Sequence, residues 1–339
     1  MNKSTFFSAL SAAAFAASAS AVTVTVDPGP ISIAFDQFND GISTATNFNN
    51  MSDAGEAAGV SSVSMPAGAG DPQFQYLTPG GPFDSTTYPY MRVHTQGTVG
   101  GASQVFPLPP AAPTVLNYAT TTTFSESQLQ FVQPINGSGL RFDPLGGGTA
   151  GTETFGYDYI MLDRFQTIGL GEFDRDGGFD GWTTNAGLVG ATVSSSTSAF
   201  SATTAGNDPI IQKGGLNIDT SVFEYLDVRL AVDPASTSRF EFFWGTNTFP
   251  GPVGGQSIAI TAELIRDGNF HTYRFDMSDE AAWDGNLNLL RLDLLADGDS
   301  AAGRSVAIDY VRLHAQVPEP SGAALLMLGL SSLLFRRKR

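Results

Sequence analysis

Arg141-Phe142-Asp143-Pro144-Leu145, followed by Tyr157-Asp158-Tyr159-Ile160-Met161-Leu162, returns later in the chain as Arg291-Leu292-Asp293-Leu294-Leu295 followed by Ile308-Asp309-Tyr310-Val311-Arg312-Leu313. Three upstream pairs keep the same order: Phe35-Asp36 with Phe173-Asp174, Asp71-Pro72 with Asp208-Pro209, and Tyr90-Met91-Arg92-Val93 with Tyr225-Leu226-Asp227-Val228. A unit of about 140 residues is too long for a solenoid repeat and has the size of a whole domain. Whatever fold the chain takes, it takes it twice. Between residues 22 and 316 short apolar alternations are separated by clusters of Gly, Pro, Asn, Asp and Ser, with almost no sustained period of 3.6, which is an all-β pattern. The expectation is two tandem antiparallel β-sandwich domains, a degenerate one over 22–165 and a better formed one over 172–315, joined by a linker at 166–171.

Composition narrows the function. The chain carries 17 Lys+Arg against 33 Asp+Glu, a net charge of −16, and such a surface repels phosphate backbones and anionic headgroups. Nucleic acid is therefore excluded as a partner. The absence of cysteine removes thiol nucleophiles, thiolate metal sites and disulfides together. Three histidines, His94, His271 and His314, are too few for an imidazole metal cluster of the usual kind. No Ser-His-Asp spacing, Gly-x-Ser-x-Gly elbow, His-Glu-x-x-His or phosphate-binding glycine loop occurs.

The two ends read as addresses. Lys3, a small-residue apolar stretch from Phe6 to Ala17, and the cleavage pattern Ala19-Ser20-Ala21 predict a secretory signal peptide over 1–21. At the other end Pro318-Glu319-Pro320 precedes an apolar run from Ser321 to Phe335, a short hydrophobic helix, and the basic run Arg336-Arg337-Lys338-Arg339. At about 1.5 Å per residue the helix is short for a hydrocarbon core of about 30 Å. This order over 317–339 resembles the PEP-CTERM sorting signal of Gram-negative bacteria. The resemblance implies the secretion machinery and an exosortase as partners, a transient stay in the inner membrane, and delivery to the cell surface or an extracellular polysaccharide matrix.

Residues 172 to 315 resemble a jelly-roll family built like galactose-binding and carbohydrate-binding modules. The residues that carry this are Phe173-Asp174 through Asp180-Gly181-Trp182, Asp208-Pro209, Tyr225-Leu226-Asp227-Val228-Arg229, Phe242-Phe243-Trp244, His271-Thr272-Tyr273, Trp283 and Ile308 to Leu313. The first copy keeps the last strand and the Asp-Pro but has no tryptophan.

Two candidate sites follow. Alternation sends Asp227 and Arg229 outward on one strand, Glu241 and Phe243 on the next, and Arg291 and Asp293 on a third. Charged pairs with an aromatic ring on one sheet face suit a sugar-binding cleft, because hydroxyls take bidentate polar contacts and a ring stacks on a pyranose. The competing account is a set of cross-strand salt bridges on a solvated face. The second site starts from Asp309, which alternation places with Val311 and Leu313 on the apolar side, as it places Asp158 with Ile160 and Leu162. A buried carboxylate needs a partner, either an arginine or Ca²⁺. The jelly-roll resemblance implies a structural Ca²⁺ between first and last strands, with Asp174, Asp176 and Asp180 supplying the first-strand side of the site that Asp309 completes. Turn-capping beside glycine is the alternative for these aspartates. His271 reads as a packed, hydrogen-bonded histidine, and Phe106 to Pro113 as a loop. The function expected is that of an exported, non-catalytic protein associated with polysaccharide. A secreted carbohydrate-active hydrolase and a purely structural matrix protein are the alternatives.

Overall fold

The computed structural model describes residues 22–36, 45–66, 72–77, 83–108, 115–144, 152–206, 208–251, 256–296 and 303–315. The signal-peptide residues Ala19 and Ala21, and Pro318, Glu319 and Pro320 with the segment after them, lie outside these. Among the described residues no helix is long and apolar enough to cross a membrane.

Two antiparallel β-sandwiches account for the described chain. The first has an outer sheet in the order Leu116–Thr120, Gly101–Pro107, Gly139–Asp143, Gln73–Leu77 and Ala45–Asn49. Its second sheet runs Ser125–Gln130, Tyr90–Gly97, Glu153–Asp163, Val60–Met65 and Ser52–Ala57, with Ser32–Asp36 also on the edge of Glu153–Asp163. Between them lies an aromatic core, Phe74, Tyr76, Phe142, Phe155 and Tyr157, all essentially unexposed. The second sandwich has an outer sheet in the order Thr183–Thr184, Ile210–Asp219, Asn286–Ala296, Arg239–Thr246 and Ser257–Ile260. Its other sheet runs Thr23–Val26, Phe270–Asp276, Tyr225–Val232, Ser305–His314, Ala199–Thr204 and Leu188–Ser194, with Thr167–Gly171 also against Ser305–His314. Its core is separate from the first and takes all three tryptophans, Trp182, Trp244 and Trp283. Each indole N–H is satisfied by a carbonyl, those of Leu170, Ala282 and Phe223 respectively.

The repeat seen in the sequence is a repeat of pairing. Met91 faces Leu162 and Val93 faces Ile160 in the first sandwich; Leu226 faces Leu313 and Val228 faces Val311 in the second. Both closing strands, Glu153–Asp163 and Ser305–His314, carry a bulge at the same place, between Tyr157 and Tyr159 and opposite Arg229/Leu230. An extra residue in one strand breaks strict alternation. Phe155 and Tyr157 point into the core before the first bulge, and Ile160 and Leu162 after it; Val306 and Ile308, then Val311 and Leu313, do the same in the second. Asp158 and Asp309 are the extra residues. They leave the core face, which corrects the expectation that they share it with the apolar residues downstream.

Two boundaries also differ from expectation. Thr23–Val26, placed by sequence at the head of the first unit, pairs with Phe270–Asp276 of the second sandwich, and Val22, Val24 and Val26 pack on that sandwich's core. The 166–171 segment is mostly strand, not linker: Thr167 pairs with His314 and Gly171 with Val311. From residue 22 the described chain thus starts in the second sandwich, builds the first, and returns.

The two closing-strand sheets face one another. Ser32, Ala34 and Met161 from the first share one small cavity with Arg229, Asp309, Tyr310 and Arg312 from the second. Four sheets are therefore layered, with the two outer sheets turned away from the junction.

Candidate binding face and the junction

The six residues expected to form one sugar cleft fall on two different sheets. Asp227 and Arg229 lie on Tyr225–Val232, in the junction sheet; Glu241, Phe243, Arg291 and Asp293 lie on the outer sheet of the second sandwich. Asp227 is buried, bound bidentately by Arg274 (2.8 and 2.8 Å) and approached by His314 Nε2 at 3.3 Å. Burial would raise its carboxyl, but the hydrogen bonds from Arg274 and His314 outweigh this and leave it lowered. Arg229 pairs with Asp309 and lies over Phe270, with 5.3 Å from its guanidinium carbon to the ring centroid. These two residues lie on the junction side, where with Arg274, Tyr310 and Arg312 they line a separate small cleft against Pro28 to Ser32.

The other four are brought together, but Glu241 and Asp293, expected to be outward and open, are buried and paired with Arg239 and Arg291. Arg291 is directly opposite Phe243, and Asp293 opposite Glu241. Arg291 Nε donates to Asp293 Oδ1 at 2.6 Å and Nη2 donates to Oδ2 at 2.7 Å, while Nη2 also reaches Asp208 at 3.0 Å. The guanidinium lies 4.9 Å from the centroid of the half-buried Phe243 ring. Arg239 Nη2 binds Glu241 at 3.0 Å. Burial pushes the Asp293 carboxyl up to about 6, with Arg291 opposing the rise. On the other side of Arg291 the paired residue is Gln212, exposed on Ile210–Asp219, and beyond it Thr183. The face is a fixed row of amide, guanidinium and ring, bordered by carboxylates. Gln212 was not singled out by sequence, because an exposed glutamine on a glycine-rich strand has no pattern of its own. Phe106, read as part of a loop, lies within the strand Gly101–Pro107.

The four residues expected to hold Ca²⁺ do not form one ligand set. Asp309 is taken by Arg229, the arginine alternative; burial raises its carboxyl and Arg229 opposes this. Asp176 is exposed and accepts from the Ser195 amide at 2.7 Å. Asp180 accepts from the Glu172 amide at 3.0 Å and lies 3.6 Å from Arg175 Nη2. Asp174 is fully buried, and burial followed by the charges of Asp158, Glu172 and Asp180 pushes its carboxyl well above the usual range. Among the described residues no three His, Cys, Asp or Glu side chains are grouped to hold a metal.

The junction instead holds a network of charges. Glu172, 1% exposed, receives Arg312 on both oxygens (2.8 and 3.0 Å from Nε) and Arg92 Nη1 at 2.6 Å. Arg92 Nε also donates to Asp163 at 2.8 Å, and its Nη1 to Glu126 at 3.1 Å. Asp158 accepts from Arg175 Nε (3.2 Å) and meets His94 Nδ1 at 2.7 Å. Beside these runs a polar cleft of about 490 Å³, with His94, Phe124 and Glu126 on the first sandwich's side and Arg175, Asp180 and Lys213 on the second's. His271 is hydrogen-bonded as expected, to Asp27 at 2.7 Å and Asp267 at 3.2 Å, and these bonds raise its pKa.

No family model matches this chain, and no curated protein does. Among solved structures it is similar to a family 29 carbohydrate-binding module, at 9% identity and a TM-score of 0.31, over 42% of this chain and 90% of that one. Two mutants of CBM29-2 match comparably. One complexed with mannohexaose is 11% identical with a TM-score of 0.31, over 42% of this chain and 93% of that one. One complexed with cellulohexaose is 10% identical with a TM-score of 0.31, over 42% and 92%. The likeness is low and extends over part of the chain.

Proposed function

We propose that this is an exported, non-catalytic protein that holds extracellular polysaccharide on the outer sheet face of its second sandwich, and that its C-terminal Pro318-Glu319-Pro320 segment is handled by an exosortase. The observation that carries the binding reading is the row Gln212, Arg291 and Phe243, fixed in register across three strands with Asp293 clamped to Arg291. Such a row offers a polymer of hydroxyls both donors and acceptors on a rigid platform, with a ring edge for the apolar side of a pyranose. Local charge selects the polymer. Two guanidiniums, Arg239 and Arg291, are matched against three carboxylates, Glu241, Asp293 and Asp208. Neutral glycans are favoured over uronates, which this acidic face repels.

The test is retention of the full chain on neutral and acidic polysaccharides, compared with Gln212→Ala and Arg291→Ala. Retention on neutral glycans, weakened about 10-fold or more by either variant, is the expected outcome. Equal retention of both variants would refute the face. A second reading, the hydrolase, has one place to stand, the junction cleft, where Asp180 is raised by burial and by Asp158 while Glu126 lies on the opposite side. Release of reducing sugar that disappears in Asp180→Asn would establish it. For the sorting, intact-mass measurement of secreted material should show loss of the basic tail, and material retaining Arg339 would refute it.

A further inference from the structure

The exposed row of the second sandwich has a counterpart in the first. Arg141 is paired with Gln75 on one side and Phe106 on the other, as Arg291 is with Gln212 and Phe243. Thr46 stands beside Gln75 as Thr183 does beside Gln212, and each threonine hydroxyl donates to the glutamine's carbonyl at 3.3 Å. Arg141 clamps Asp143 through Nε at 2.7 Å and through Nη2, as Arg291 clamps Asp293. Its guanidinium lies 4.7 Å from the Phe106 centroid, against 4.9 Å in the other copy.

The rest of the two sheets has diverged. In the core-facing row on one side, Phe74, Phe142 and Val105 stand where Ile211, Leu292 and Phe242 stand in the second copy, and none is retained. In the row on the other side, Tyr76, Leu140 and Pro107 answer to Lys213, Leu290 and Trp244, and the leucine alone agrees. In the closing-strand sheets Arg92 answers to Asp227 and Met161 to Arg312, while the core pairs Val93/Val228 and Leu162/Leu313 and the bulge pairs Asp158/Asp309 and Tyr159/Tyr310 are kept. The core rows of the outer sheets can drift because volume can be redistributed among neighbours. The Arg141–Asp143 and Arg291–Asp293 pairs seat buried carboxylates and are explained within each sandwich, but the threonine, glutamine and aromatic ring of each row are at least partly exposed and contribute little to either core. Retention of these outward side chains in both copies is what a shared external ligand would require.

We infer that the first sandwich carries a second, equivalent glycan-binding face, Thr46, Gln75, Arg141 and Phe106, so that the protein bridges two polysaccharide chains. This rests on the polysaccharide reading of the second face. Each row spans about 14 Å at about 4.8 Å per strand step, the length of a short oligosaccharide. The two rows lie on the outermost faces of the four layered sheets, at least about 30 Å apart at about 10 Å per layer, and are turned away from each other. One flat glycan surface therefore cannot occupy both at once. Two separate chains can. The ligand class is the same, a neutral polyhydroxylated polymer, and Gln104 opposite Asp143, where the second copy has Glu241, makes the first face the less acidic.

The test uses the full chain with a soluble neutral polysaccharide that it retains, and a short oligosaccharide of the same sugar. Titration should give two oligosaccharides per chain, and mixtures with the polymer should become turbid at intermediate protein ratios and clear in excess protein. Gln75→Ala with Arg141→Ala, or Gln212→Ala with Arg291→Ala, should each reduce the stoichiometry to one and abolish turbidity while one face still binds. Circular dichroism melts confirm that the variants fold, and the single glutamine variants, which touch no core residue, should lower turbidity on their own. A stoichiometry of one in the native chain, lost with the second-sandwich pair and unaffected by the first-sandwich pair, overturns the inference and leaves the proposed function standing. Absence of binding to every neutral glycan overturns both.

Discussion

Replacing Glu172 by glutamine tests the charge network that joins the two sandwiches. Its carboxylate is wholly buried and is bound by Arg312, from the second closing strand, and by Arg92, from the first sandwich. Burial by itself would raise the carboxyl, but Arg312 and then Arg92 more than offset that and hold it at about 2, from an ordinary 4.5. A depression of that size corresponds to roughly 3 kcal/mol of stability, in the range observed when one partner of a buried ion pair is removed. Because the folded-state value is the lower one, the stabilisation is fully present above about 4.5 and is lost as pH falls from 4.5 toward 2. The same acid window protonates other carboxylates, so the informative quantity is the difference between native protein and Glu172→Gln. Urea unfolding, which adds no ions, should show a gap of roughly 3 kcal/mol at pH 6 that narrows steadily toward pH 2. Arg312 has Glu172 as its only carboxylate partner among the described ion pairs, whereas Arg92 keeps Asp163 and Glu126. Adding Arg312→Met to Glu172→Gln should therefore cost much less than Arg312→Met alone. A gap below about 1 kcal/mol at pH 6, or one that is the same at pH 3, would refute the reasoning.

Asp309→Asn should destabilise the protein to the same extent in calcium and in chelator, since Arg229 is the partner of its carboxylate; thermal melts showing a cost in calcium alone would restore the metal. His271, with its pKa raised by the hydrogen bonds to Asp27 and Asp267, should hold the strand Thr23–Val26 most firmly below the ordinary value of 6.5 and release it as pH rises through the raised one. Hydrogen exchange at Val26 and Asp27 should then speed up beyond the intrinsic base dependence, and His271→Ala should remove that extra pH response; an unchanged profile in the variant would count against the anchor.

Much of the fold was legible in the chain. The ordered repeat required two copies of one domain, and alternation correctly turned Phe240, Phe242 and Trp244 inward and Phe243 and Arg291 outward, because a strand's period of two depends on nothing but the backbone. Alternation assigns a residue to a face of its strand; it does not say which sheet the strand joins. Asp227 and Glu241 were both outward by parity, and only long-range pairing put one in the junction and the other on the open side. The bulges had the same character. One extra residue at Asp158 and at Asp309 reverses the face of everything after it, and strict alternation along the strand does not mark it. The strand Thr23–Val26 reads as an ordinary edge strand, and its partner, Phe270–Asp276, is nearly the whole chain away. Local pattern determined which side chains could be buried and that the unit was doubled. Tertiary structure decided that Glu172 meets Arg92 and Arg312 together, because that contact exists only where two sheets distant in sequence are pressed together and exclude water.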